Sequence, residues 1–331
     1  MLWKKGFKAL AAVGLVAGAT VGSIVVTQAQ DPTYSVWIVE NSTFMNVPFG
    51  AFMPDRVFVP GSDSPKNNIN LIDIPVNVGV ISGGGEVVFY DNGWNATDYH
   101  KMTGTDHWSP LSEQIAQLGI NANDVTKVVI GHGHWDHAGS LDEFPNAVLY
   151  VQKEELHGIE WALNYQHPRI SAVNTSPGGC ARSPACGYPP KTVDQIYGKV
   201  LRGKAVIVDG DMEILPGIKI HAAHRAHTAG SQLLEVNTTV GKLMFGSDAY
   251  SSWEGIRDWM IANPQQTDTV QQFLAYEKCY RVTGGFENCV AAHEPLSYTD
   301  GYPLTANAWT GMNGARLAEI ALSPGDHSRR P

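Results

Sequence analysis

Three histidines and one carboxylate stand within six positions of this chain, in Gly131-His132-Gly133-His134-Trp135-Asp136-His137. Imidazole and carboxylate together are the ligand set of zinc-type sites. The preceding run, residues 125–130, is apolar and is followed by a glycine, which predicts a buried strand whose end delivers the ligands. If strand alternation continued, His132, His134 and Asp136 would share one side while His137 served a neighbouring centre. The pattern favours two metals over one, and the plain alternative is a histidine-rich surface turn.

Other apolar runs also end in metal-ligand residue types. Residues 218–222 lead into His221, His224 and His227, residues 242–245 lead to Asp248, and residues 290–292 lead to His293. The carboxyl ends of strands gather at one edge in α/β proteins, so these loops are expected to meet.

Strands and helices alternate along the chain, which predicts the α/β class. Strands are predicted at residues 34–40, 71–82, 86–90, 125–130, 147–151, 205–208, 218–222, 233–236, 242–245 and 290–292. Helices are predicted at residues 110–118, with Ser109 as the cap, from residue 153, and over residues 265–282. Residues 46–65 are apolar for a loop and either cover a pocket or pack on the core. Residues after Pro324 are polar and predicted to fray.

The chain has 331 residues, 43% hydrophobic and 17% charged, which suits one globular domain over residues 31–323. Residues 1–29 are typical of an export signal, with Lys4, Lys5 and Lys8 before an apolar run and cleavage expected after Ala29. Removing the three lysines takes the formal net charge from −9 to −12, which argues against nucleic-acid or anionic-membrane partners. We therefore expect a secreted or periplasmic protein without a stable membrane partner. An uncleaved membrane anchor is the alternative.

Four cysteines in an exported protein predict disulfides. Proximity favours pairing Cys180 with Cys186, inside a surface insertion at residues 167–191, and Cys279 with Cys289. A zinc knuckle competes, but no Cys-x-x-Cys pair supports it.

Taken together, these motifs resemble the metallo-β-lactamase superfamily of dinuclear metal hydrolases. The resemblance implies a four-layered αββα sandwich and two divalent cations, with Zn²⁺ expected. His227 is preferred over His221 and His224 because His-Thr-Ala-Gly-Ser is similar to a family turn. His221 and His224 would be structural or would contact the ligands from behind. The implied ligands are His132, His134 and His227 for the first metal, Asp136, His137 and His293 for the second, and Asp248 bridging both.

Within the superfamily the chain resembles the N-acyl-homoserine lactonases, through residues 72–81 and Asp91-Asn92-Gly93. The resemblance implies attack on a lactone or ester carbonyl by a hydroxide held between the cations, with Asp136 as proton shuttle. Tyr250 would donate to the substrate carbonyl. It lies two residues after Asp248 where three are expected, so a packed tyrosine is the alternative. Residues 46–59 and the insertion would line an acyl chain.

Two other functions remain open from the sequence. The export signal with this ligand set also resembles secreted organophosphate hydrolases, in which the nucleophile attacks phosphorus. A non-catalytic zinc-binding protein is the distant alternative, because a storage site has no need of a bridging acid. The sequence does not decide between a monomer and a homodimer.

Overall fold

Apolar side chains alternate along the strands of this protein, and the alternation sorts its buried residues into layers. The computed structural model describes residues 31–48, 71–95, 105–165, 185, 187–261, 268–299, 303–305 and 307–331. The strands are β1 (Ser35–Pro48), β2 (Leu71–Gly83), β3 (Glu86–Tyr90), β4 (Thr105–Asp106), β5 (Lys127–Val129), β6 (Val148–Gln152), β7 (Ala205–Val208), β8 (Met212–Leu215), β9 (Ile218–Ala222), β10 (Gln232–Thr238), β11 (Gly241–Phe245), β12 (Cys289–Val290), β13 (Asn307–Thr310) and β14 (Arg316–Ala321). The helices are α1 (Leu111–Ala116), α2 (Trp135–Ala138), α3 (Lys153–Asn164), α4 (Pro190–Leu201), α5 (Trp253–Arg257) and α6 (Thr269–Thr283).

The strands form two sheets. The first has the order β13-β14-β1-β2-β3-β5-β6-β7, with β4 paired to β1, and the second has the order β12-β11-β10-β9-β8. Strands β3, β5, β6 and β7 pair in parallel, which leaves the carboxyl ends of β3, β5 and β6 at the same edge. The first candidate ligands follow β5 at that edge.

Both faces of each sheet are buried. Val36 and Ile38 of β1 pack against strands β9 to β11 in a core between the sheets. Trp37 and Val39 point the other way and pack with residues of α1, α3 and α4. The outer face of the second sheet packs on α6 through Met244 and its neighbours. The four layers are therefore helix, sheet, sheet and helix, and the predicted αββα sandwich is confirmed.

Several local predictions match the structure and others do not. The Gly83-Gly84-Gly85 stretch forms the β2–β3 hairpin, with positive φ at Gly84 and Gly85 as a tight turn requires. Ser109 is not the cap of α1, because Pro110 occupies that position and no side chain caps it. Strands β4, β8, β13 and β14 are absent from the sequence prediction, because each is a run of two to six residues that includes polar or charged side chains.

The chain after Pro324 is anchored, so the prediction of a frayed end is wrong. The Ser35 hydroxyl donates to Asp326 (2.7 Å), and the Arg329 guanidinium also donates to Asp326 (2.8 Å) and stands 5.8 Å from the Trp37 ring. A cation over an indole face is attracted to it.

Cys279 and Cys289 form the predicted disulfide, which joins α6 to β12. Cys180 and Cys186 lie outside the described residues, as do residues 1–30 and most of the apolar loop at 46–65. Within the described ranges, no helix has both the length and the apolar character that crossing a bilayer requires. The surface insertion was predicted to extend to residue 191. It ends earlier, because Tyr188 is buried and α4 begins at Pro190.

Candidate metal centre

The candidate ligands converge from loops that follow four strands. His132 follows β5, His227 follows β9, Asp248 follows β11 and His293 follows β12. Their side chains form two groups, in each of which the ligand atoms lie within 4.8 Å of one another. The two groups are His132, His134, His227 and Asp248, and Asp136, His137 and His293. The structure thus brings together all seven residues that the sequence nominates as ligands.

Asp136 lies with His137 and His293, and not with His132 and His134 as strand alternation predicted. Strand alternation would place it with His132 and His134, but β5 ends at Val129 and α2 begins at Trp135, with His134 as its N-cap. At the start of this helix, Oδ2 of Asp136 lies 3.5 Å from Nε2 of His137 and 3.8 Å from Nε2 of His293. The placement of Asp136 beside His132 and His134 that strand alternation predicts is therefore wrong, because a helix begins at Trp135.

Asp248 lies between the two groups, and each of its oxygens faces one of them. Its Oδ2 is 3.3 Å from Nε2 of His227, whereas its Oδ1 is 3.0 Å from Nε2 of His293 and 3.2 Å from Nε2 of His137. Asp248 stands directly after β11, in a short turn over Ser247–Tyr250, and is almost fully buried. This arrangement suits a carboxylate shared by two cations.

The buried nitrogen atoms of the first group are arranged as metal ligands would be. Nε2 of His132 is buried, points into its group, and has no hydrogen-bond partner among the described residues. Nε2 of His227 and Nδ1 of His134 stand only 3.2 Å apart, as nitrogen lone pairs do around a common cation. A buried nitrogen without a partner is costly, so these residues fit a bound cation.

The protonation states of His132, His227 and Asp248 favour metal binding, whereas His137, whose pKa Asp136 and Asp248 raise against the effect of burial, would release a proton to a cation. Burial, reinforced by the neighbouring His137, lowers the pKa of His132 well below its usual range, and burial lowers the pKa of His227 to about 3. Both rings are therefore neutral near neutral pH and offer a lone pair. Burial by itself would raise the pKa of Asp248, but His137 and His293 hold it well below its usual range, so this carboxylate is ionised.

Outer groups orient the histidines, and sequence reasoning missed them. Asp91 accepts a hydrogen bond from Nδ1 of His137 (2.8 Å) and another from the backbone N–H of Gly131 (2.6 Å). Nδ1 of His293 donates to the carbonyl of Pro75 (2.8 Å). Each bond occupies Nδ1 and directs Nε2 into the site. In the sequence, Asp91-Asn92-Gly93 is recognisable only as a motif similar to one of the lactonases. No local pattern predicts the hydrogen bond between Asp91 and His137.

Glu155 is a second residue that the sequence did not single out. It lies on α3 and is fully buried, and its carboxylate accepts hydrogen bonds from the backbone N–H groups of Gly133 (2.7 Å) and Gly230 (2.8 Å). The hydroxyls of Tyr188 (3.0 Å) and Thr228 (2.6 Å) donate to the same carboxylate. Gly133 lies between His132 and His134, and Thr228 follows His227, so Glu155 ties the two ligand-bearing loops of the first group together.

Tyr250 does not reach this centre as predicted. Its ring is fully buried against Tyr276 and α6, and its hydroxyl donates to the carbonyl of Ala275 (2.6 Å). The proposed donation to a substrate carbonyl is therefore not supported, and the packed-tyrosine alternative accounts for the geometry. The hydrogen bond to Ala275 holds the Tyr250 side chain in the outer helical layer.

His221 and His224 stay outside both groups, as expected. Nε2 of His221 is 2.7 Å from Glu235, and Nε2 of His224 is 3.1 Å from Oε1 of Gln152. These partners give both rings a structural role at the end of β9. The preference for His227 among the three histidines agrees with this placement.

Aromatic and apolar side chains border the second group. The Phe44 ring centroid lies 6.1 Å from that of His293 and 5.6 Å from that of Trp135. Phe44 is half-buried and packs with Ile72, Ile74 and Met260. On the first group's side, the Tyr188 ring lies 5.0 Å from His134. Aromatic and apolar side chains therefore lie beside the charged ligands of both groups.

Residues 71–271 match the family model of the metallo-beta-lactamase superfamily. This match extends over more than half of the chain, and the chain therefore belongs to the metallo-β-lactamase superfamily. The prediction of a metal-dependent hydrolase is confirmed at this level.

Individual relatives are more distant. The N-acyl homoserine lactonase AiiB of Agrobacterium fabrum is 28% identical over 135 residues, which are 36% of this chain and 42% of that protein. An N-acyl homoserine lactonase of Bacillus cereus is 23% identical over 229 residues, 64% of this chain and 77% of that protein. A solved quorum-quenching N-acyl homoserine lactone lactonase superposes with a TM-score of 0.59 at 16% identity, covering 82% of this chain and 96% of that one. At such identity the superposition shows the shared fold alone.

Proposed function

We propose that this protein is a two-cation lactonase whose substrates are N-acyl homoserine lactones, which is a quorum-quenching activity. The observation that carries the proposal is Asp248, whose two oxygens face different groups of histidines at 3.0–3.3 Å. The similarity to proteins named as N-acyl homoserine lactonases supports this substrate class.

His132, His134 and His227 would hold one cation and Asp136, His137 and His293 the other, with Asp248 shared. Zn²⁺ is the expected metal because neutral imidazole and carboxylate are its preferred oxygen and nitrogen ligands. When bound, such a pair lowers the pKa of water between the ions and polarises an ester carbonyl.

The chain's own residues then handle the proton and the substrate. Asp136 is the more open of the two carboxylates, with 14% of its side chain exposed against 6% for Asp248. Burial by itself would raise the pKa of Asp136, but His137 holds it below the usual range, so the carboxylate is ionised. As the more open carboxylate, it would take up the proton and pass it to the leaving alkoxide. Phe44 and the apolar side chains packed on it would exclude water and hold the acyl chain.

A substrate panel on metal-loaded enzyme tests this proposal. We expect hydrolysis of N-acyl homoserine lactones, rising with acyl-chain length, and two metal ions per chain by elemental analysis. The His221→Gln variant, which changes a histidine outside both groups, should keep the wild-type turnover and metal content. Turnover of aryl phosphotriesters without lactone turnover would favour the organophosphate alternative. A fully loaded protein inert toward lactones, esters and phosphotriesters would refute the lactonase proposal and favour the non-catalytic zinc-binding alternative.

We also propose that the protein is exported and acts in the periplasm or outside the cell. The lysine-bearing apolar leader of residues 1–29 supports this location. Sequencing the amino terminus of protein recovered outside the cytoplasm should find Gln30 first. Recovery of the intact leader in a membrane fraction would favour the anchor instead.

A further inference from the structure

The hydroxyl of Ser247 touches both groups of ligands. Its Oγ lies 3.0 Å from Nδ1 of His132 and 3.2 Å from Nδ1 of His137, and the residue is buried. His132 and His137 belong to different groups, and both direct Nε2 toward the centre. One side chain thus stands behind a ligand of each proposed cation.

The backbone at Ser247 is strained for a residue with a side chain. Its φ is +48°, a region that glycine enters freely and other residues rarely adopt. A glycine at this position would relieve the strain, so the side chain is kept at a conformational cost. Strain of this kind concentrates at functional sites.

The opposite wall is shaped to admit this side chain. A Cβ atom built on Gly131 would lie 2.2 Å from Cβ of Ser247 and 2.6 Å from the Tyr90 hydroxyl. Gly131 begins the ligand loop directly after the β5 strand. The missing side chain at Gly131 and the strained serine at 247 therefore complement each other, and together they place Oγ against His132.

We propose that Ser247 is a positioning residue that fixes the ring orientation and tautomer of His132. This inference rests on the proposed two-cation function. Oγ accepts the Nδ1–H of His132, which leaves the lone pair on Nε2 for a cation. His137 has Asp91 at 2.8 Å as its main acceptor, so it depends less on Ser247. Loss of the hydroxyl should therefore weaken the binding of the cation held by His132 much more than the binding of the other cation.

Two substitutions separate the hydroxyl from the backbone strain. Ser247→Ala removes the hydroxyl and keeps the strained φ, whereas Ser247→Gly removes both. Metal-stripped protein would be titrated with Zn²⁺ against a chromophoric chelator, and the unfolding midpoint of the metal-free protein would be measured alongside. We expect both variants to bind one zinc ion about ten- to a hundredfold more weakly. Metal-free Ser247→Gly should unfold at a higher temperature than Ser247→Ala.

Ser140→Ala is the control, since Ser140 is a buried serine near the same loop whose hydroxyl has no hydrogen-bond partner among the described residues. It should bind both ions like the wild type. If Ser247→Ala does not fold, Ser247→Gly carries the test by itself. Wild-type zinc affinity in Ser247→Gly, or a loss in Ser247→Gly without a loss in Ser247→Ala, would overturn the role of the hydroxyl. A wild-type protein that binds fewer than two zinc ions would instead overturn the proposed function.

Discussion

The carboxylate of Glu155 joins the two ligand-bearing loops of the first group, and changing it to an amide tests that role. In Glu155→Gln an NH2 group, which only donates hydrogen bonds, replaces one carboxylate oxygen. The hydroxyls of Tyr188 and Thr228 can rotate to accept from it. However, each oxygen also accepts from a backbone N–H, of Gly133 on Oε1 and of Gly230 on Oε2. Either orientation of the amide therefore sets one N–H against another.

The cost of this mismatch follows from the bonds that are lost. A hydrogen bond to a charged group contributes about 1.5–3 kcal/mol and a buried unsatisfied donor costs about 1–3 kcal/mol, so the unfolding free energy should fall by about 2.5–6 kcal/mol. An unfolding entropy of about 2.1 cal/mol/K per residue gives roughly 0.6 kcal/mol/K for roughly 300 residues, so the midpoint should fall by about 4–10 °C. Since both loops carry ligands, zinc affinity should fall by about ten- to a hundredfold.

The assay is thermal unfolding of the metal-free protein together with zinc titration. Glu154→Gln is the control, because it makes the same chemical change on the neighbouring residue of α3, whose side chain is 44% exposed. A Glu155→Gln protein that matches Glu154→Gln in both measurements would refute the reasoning. A lower midpoint with unchanged zinc affinity would show that Glu155 holds the loops together without positioning the ligands.

Three further predictions follow from named contacts. Asp248→Ala should lose metal and lactone turnover together, because both groups share its carboxylate; an active variant with one metal per chain would exclude a bridging role. Tyr250→Phe should keep kcat within about threefold and lose about 1–2 kcal/mol of unfolding free energy, since its hydroxyl serves the Ala275 carbonyl; a large fall in kcat with both metals retained would restore its catalytic role. Hydrogen bonds from His221 and Lys242 lower the pKa of Glu235 to about 2, so its stabilising effect is complete above the unfolded value of 4.5 and is lost as pH falls toward 2. The free energy of urea unfolding should therefore change less between pH 5 and pH 2.5 in Glu235→Gln than in the wild type. An equal change with pH in both proteins would show that the bonds from His221 and Lys242 to Glu235 do not stabilise the fold.

The ligands could be found from the sequence because their signal is local. Each follows a short apolar run, and residue type with position at a strand end was enough to nominate His132, Asp248 and His293, whereas His227 was preferred over its two neighbouring histidines through the family resemblance. The fold class followed from the same runs, since alternation of strands and helices is visible without any long-range information. Where local periodicity changed within a few residues, as at Asp136, the prediction of direction was wrong although the nomination held.

Local patterns in the sequence therefore indicated the clusters of candidate ligands and the α/β class of this protein, and the family resemblance selected the seven ligands from those clusters. The partners of those ligands depended on residues far apart in the chain: Ser247 reaches His132 across 115 positions, and Glu155 reaches Gly230 across 75. Tyr250 was displaced from the centre for the same reason, because its hydroxyl found a carbonyl on α6. Folding decides such pairings through packing of the two sheets and their helices, and no spacing along the chain encodes which buried donor will meet which acceptor.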